Sequence, residues 1–204
     1  MLFLVVHLAG ISLAALAPQD FETWAARLHQ QAWLPMSELA LLTLALVHLV
    51  STVSKRLINQ SAGNTAALVS RRQGRWESLA AFAARHQSLA GLVLLVFCVV
   101  HLLQLRFPRA AAGSELETVQ AVLHEPLNLV LYLTAACALG LHGFHGAEAA
   151  HRNLGLLNPS NRDTIRASGR MLSVLLGGGF TATVITLALH TPGQAMHQLS
   201  GGIL

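Results

Sequence analysis

From Pro126 to Ala147 the chain carries no Asp, Glu, Lys or Arg, and Glu125 and Glu148 bound the stretch at either end. A run of about 20 apolar residues is what an α-helix needs to cross the hydrocarbon core of a bilayer. In lipid a spanning segment must satisfy all its backbone hydrogen bonds internally, which leaves helices or closed barrels. Further stretches of the same kind run from about 1 to 17, 34 to 54, 87 to 105 and 171 to 190. The expectation is therefore an all-α integral membrane protein, a single transmembrane domain over 1–204 with five helices. Composition agrees: 11% of the residues are charged, where a soluble domain carries about 25%.

The first stretch is short for a span. It has no basic region before it and no cleavage site after it, which argues against a signal peptide. We expect a true helix whose first turns lie upstream of Met1. The two cysteines, Cys98 and Cys137, both lie in apolar runs and read as packing residues.

The formal charge of +4 does not point to nucleic acid, because the cations sit in gaps between apolar runs. The gap at 55–85 holds Lys55, Arg56, Arg71, Arg72, Arg75 and Arg85 against Glu77. The gap before the last helix holds Arg152, Arg162, Arg166 and Arg170 against Glu148 and Asp163. Positive loops face the cytoplasm. That places the N-terminus inside and makes 55–85 a cytoplasmic docking surface.

The unusual count is histidine, at 11. His7, His48, His101, His142, His145 and His190 fall within the expected spans, where an ionisable side chain is a functional hypothesis by default. One such histidine can merely bond across helices. Here four successive helices each carry one. In the orientation above, His48 and His142 lie near the cytoplasmic side. His101 lies near the outer side, and a tilted first helix brings His7 to its level. Facing helices build cofactor sites with side chains projected inward, and paired histidines serve as axial ligands of haem iron. Metal transport would instead want carboxylates or thiolates clustered with the histidines. His145 lies on the His142 face, one turn closer to the cytoplasm, where it competes as the ligand or bonds a haem propionate. Arg85 and Ser88, with Arg170, are candidate partners of propionates or a quinone headgroup. His190 reads as a solvated cap.

The matching stretches are FLVVHL at His7, LALVHLV at His48, RHQSLAGLVLLVFCVVHLLQLRF at His101, and LYLTAACALGLHGFHGAEAAHRNLGL at His142, with Tyr132 ten residues before His142. In order and spacing these resemble the five-helix, two-haem cytochrome b anchor subunit of succinate dehydrogenases and fumarate reductases. The resemblance covers nearly the whole chain. It implies a distal haem b held by His7 and His101 and a proximal haem b held by His48 and His142. It also implies a quinone as substrate, in this type often menaquinone, and docking of a flavoprotein and an iron–sulfur subunit on the cytoplasmic face of a prokaryotic inner membrane. The anchor would be the quinone-reactive part of that enzyme and would not touch succinate. Glu38 is the carboxylate candidate for quinone protonation on the outer side, or else a solvated acid at a helix start. Some members carry a glutamate two residues before the fourth-helix ligand, where this chain has Gly140, so that proton route is not expected. The competing readings are the cytochrome b subunit of a hydrogenase or formate dehydrogenase, and a haem-free transporter or scaffold.

Overall fold

The computed structural model describes residues 1–63, 75–108, 110–111 and 113–190. These form seven α-helices: α1 (Leu2–Leu16), α2 (Pro18–His29), α3 (Leu34–Ser61), α4 (Arg75–His101), α5 (Glu115–His124), α6 (Pro126–Asn153) and α7 (Arg162–Leu189). A π-helical turn, Leu102–Arg106, continues α4. Among the described residues four helices are long and apolar enough to cross a membrane: α3, α4 with its π turn, α6 and α7. The first apolar helix, α1, has 15 residues, and at about 1.5 Å per residue it falls short of the hydrocarbon core. The 55–85 gap, expected to be a partly helical cytoplasmic loop, is helical over 55–61 and 75–85, because α3 runs on to Ser61 and α4 begins at Arg75. Arg71 and Arg72 lie outside the described residues.

Proline sets the breaks. Ala17 precedes Pro18 and sits at φ −148°, ψ 76°, since the proline ring disfavours the α region for the residue before it. That ends α1 and lets Pro18 open α2. Glu125 does the same before Pro126, at φ −74°, ψ 119°. Glycines with positive φ follow α3 and α6, Gly63 at 71° and Gly155 at 70°, as left-handed helix ends favour.

α6 and α7 form the tightest pair, through small residues spaced four apart on α7 and three to four apart on α6. Gly169, Ser173 and Gly177 of α7 face Ala147, Gly143 and Gly140 of α6, the small-xxx-small pattern of membrane helix contacts. A Cβ at Gly177 would lie 3.0 Å from Gly140 Cα and 3.2 Å from the Ala136 carbonyl oxygen. Both neighbours are backbone, so the helices would have to part. Gly177→Leu is expected to cost about 1–3 kcal/mol through overpacking, read as a shorter thermal half-life in detergent. Gly178→Ala, with nothing within 4 Å of its Cβ, should leave the half-life unchanged or longer.

α2 and α5 cover one end of the bundle. Ala14, Phe21, Leu116, Leu123, Tyr132, Val184 and Leu187 make the buried cluster there. Glu22 of α2 accepts from the backbone N–H groups of Glu115 at 3.2 Å and Leu116 at 2.8 Å. It thus satisfies donors that the first turn of α5 leaves unpaired. Burial, then a hydrogen bond with Glu115, pushes the Glu22 carboxyl up. Burial also pushes Glu115 up, but the bonds from Glu22 and the backbone outweigh it and hold Glu115 low. The pair therefore works in two pH windows. Glu115 adds stability that is lost as pH falls below the ordinary carboxyl range. Glu22 adds stability that is lost as pH rises above that range. Glu22→Gln, which accepts the same N–H groups and donates to Glu115, should abolish the decline on the alkaline side in a pH series of unfolding midpoints.

Candidate cofactor site: two facing histidine pairs

α3 stands apart from the rest, with no buried residue along its length. Two ties that join it to the bundle bear on the site. Near its start, Glu38 takes a two-pronged ion pair from Arg106, with Nε and Nη2 each at 2.7 Å. Farther along, the His48 ring faces the His142 ring of α6, centroids 6.1 Å apart and planes at 82°. The second pair joins α1 to the end of α4, with the His7 and His101 rings 5.9 Å apart at 79°.

A metal about 2.0 Å from one nitrogen of each ring would set the two centroids about 6.3 Å apart, close to the spacing of both pairs. Edge-to-face ring contact also favours centroids about 4.5–7 Å apart; what marks these two contacts is that each joins histidines from two different helices. Among the described residues no three or more His, Cys, Asp or Glu side chains group as a metal site, which a tetrahedral zinc site would need. The donor set is thus two pairs of histidines, the ligand type that a haem iron would take.

The tautomers suit ligation too. His142 Nδ1 lies 3.3 Å from the Gln87 backbone oxygen. A carbonyl only accepts, so Nδ1 carries the proton and Nε2 is bare. Gln87 returns a bond from Nε2 to the His142 carbonyl at 3.1 Å. A Cβ at Gly91 would lie 3.3 Å from His142 Cε1, so glycine there gives the imidazole its room. At the other pair His101 Nδ1 lies 3.2 Å from the Tyr132 hydroxyl. Phe3 stacks on His7 at 5.4 Å, and Phe97 stacks on His101 at 5.3 Å.

No protein family, curated protein or solved structure matches the chain. Its site is read from its own residues.

Of the residues singled out in the sequence, the structure brings together His7 with His101 and His48 with His142. His145 follows one turn after His142, and it is the His142 ring that faces His48. Arg85 and Ser88 are exposed on α4. Arg170 is ion-paired with Glu77 at 3.1 Å and lies over the Phe144 ring, so a propionate or headgroup would have to compete for it. Glu38 is likewise engaged, by Arg106. His190 Nδ1 donates to the Thr186 carbonyl at 2.6 Å, in keeping with a helix-end role. Sequence reasoning missed three amides, Gln87, Gln104 and Asn128. The available signal was a neutral polar side chain inside an apolar run, within one turn of a histidine for Gln87 and Gln104.

Proposed function

We propose that the chain is the membrane-anchor cytochrome b of a succinate:quinone oxidoreductase, with His7 and His101 holding a distal haem b and His48 and His142 a proximal one. The observation that carries this reading is the shared centroid spacing of the two pairs, 5.9 and 6.1 Å. The order of the four histidine helices and their resemblance to that anchor type point to succinate chemistry in the partner subunits. Bound there, haems would supply single-electron redox steps between the two faces of the membrane.

The chain's own residues do the rest. Nε2 of His101 and of His142, left bare by the Nδ1 hydrogen bonds, would be the atoms that hold the iron. Phe3, Phe97 and Phe180 pack their rings against the distal pair, with Phe180 5.8 Å from His7. Arg85, Ser88 and His145 offer donors for propionates at the proximal side. Glu38 would serve protonation of the quinone, in this anchor type often menaquinone, once the Arg106 fork opens. In this reading α1 is a fifth span with the N-terminus cytoplasmic. The 55–85 segment and the charged ends of α6 and α7 dock an iron–sulfur subunit and, through it, a flavoprotein. The location is a prokaryotic cytoplasmic membrane.

The deciding experiment is a reduced-minus-oxidised spectrum with pyridine haemochrome quantitation on the purified chain. Two haems b per chain are expected. A well-folded chain without haem would overturn the reading and leave a transporter or scaffold.

A further inference from the structure

A polar chain runs outward from His101. Asn128 Nδ2 donates to the Val122 carbonyl at 3.1 Å. That carbonyl only accepts, so Asn128 Oδ1 must be the atom that takes Gln104 Nε2 at 2.8 Å. Gln104 Oε1 is then turned to Tyr132 and accepts its hydroxyl at 3.2 Å. The phenol proton is thereby used, and at 3.2 Å its oxygen accepts from His101 Nδ1. Each link fixes the direction of the next. Gln104 sits inside the π turn that begins directly after His101, closed by Phe107 N–H to the Leu102 carbonyl at 2.9 Å. Such turns recur at functional sites.

We infer that Tyr132, Gln104 and Asn128 form a positioning chain that holds His101 in its Nδ1–H tautomer and sets the redox balance at the His7–His101 pair alone. This rests on the haem reading above. An acceptor on the outer N–H raises the basicity of a ligating imidazole, which favours the oxidised metal. The other pair is built differently, since His142 donates to a backbone carbonyl that no side-chain change removes. Tyr132 is 7% exposed, so water does not replace its hydroxyl when it is deleted.

The test is a redox titration of the two-haem chain followed by haem absorbance, in wild type, Tyr132→Phe and Gln104→Leu. In Tyr132→Phe both haems should remain bound. The haem that survives His48→Ala should shift to a higher midpoint, by about a tenfold change in oxidised-over-reduced preference, or about 59 mV for one electron. The other haem should not move. Gln104→Leu, which unties the phenol but leaves it in place, should shift the same haem in the same direction by less. Two bound haems with unmoved midpoints in both variants would overturn this inference and leave the haem reading standing. Equal shifts of both haems, or loss of one haem in both variants, would also overturn it, because a positioning chain tunes an occupied site. A wild-type chain without haem would overturn both.

Discussion

His48→Ala and His142→Ala are each expected to lower haem content from two per chain to one, and so are His7→Ala and His101→Ala. The retained haem should be the same within a pair and different between pairs. The reason is geometric. Alanine supplies no nitrogen, and the ring it deletes is the one facing the partner across about 6 Å. Within a pair either deletion empties the same site, so the two losses should not add. Across pairs they should add, and a His48→Ala, His101→Ala double variant should bind none. His145→Ala should keep both haems, because the ring facing His48 belongs to His142. Pyridine haemochrome values set against protein concentration read all of this directly. A His142→Ala chain with two haems beside a His145→Ala chain with one would reassign the proximal ligand to His145.

The same variants bear on α3. With no buried residue of its own, that helix has little packing to hold it against the bundle. A ligand that binds only the closed arrangement stabilises it by mass action. The His48 and His142 variants should therefore loosen α3 more than the His7 and His101 variants do, visible as faster protease cleavage or hydrogen exchange along 34–61.

How much of this was legible beforehand follows from what hydropathy measures. The stretches 34–54, 87–105 and 126–147 lie within long helices, and 171–190 does but for His190, because lipid forbids charge and demands internal hydrogen bonding at once. The ends were less legible. α4 starts at Arg75, and α6 runs to Asn153. A helix does not stop where the hydrocarbon does, and its charged outer turns look like loop to a hydropathy reading. α2 and α5 were missed for a related reason. They are short and half polar, and their signal is the spacing of Phe21 with Ala25 and of Leu116 with Gln120 and Leu123. Pro18 and Ser114 at their starts were the local clues.

In the site, the depth of each histidine along its helix set His7 level with His101 and His48 level with the fourth helix, but left His142 and His145 in competition; the ring that faces His48 is that of His142. The supporting shell was opaque. Gln104 and Asn128 come from different helices, and only the widened turn after His101 and the crossing of α4 with α6 bring them to 2.8 Å. Glu38 was visible as a carboxylate at a helix start, yet its partner Arg106 lies far away in sequence. Salt-bridge partners across a bundle leave no periodic trace.

Arg166→Ala should be among the most destabilising single changes in the chain, at about 3 kcal/mol or roughly a hundredfold in the unfolding equilibrium, because it strands a charge. Arg166 grips Glu148 with Nε at 2.8 Å and Nη2 at 2.9 Å, tying α7 to α6. The two side chains are only 17% and 14% exposed. The remaining partner, Arg152, reaches Glu148 at 2.7 Å but is 61% exposed, and an exposed pair on one helix is worth about 0.5 kcal/mol. Removing the partner of a buried charge costs more than removing both. Glu148→Leu combined with Arg166→Met should therefore recover much of the loss. Glu148→Ala should cost less than Arg166→Ala, since the long arginine side chain can carry its head toward water and Asp163, which it already meets at 3.3 Å. Unfolding in mixed detergent compares each of the three variants with wild type. If all three variants fall within about 0.5 kcal/mol of wild type, water already reaches the pair and it does not clamp α6 to α7.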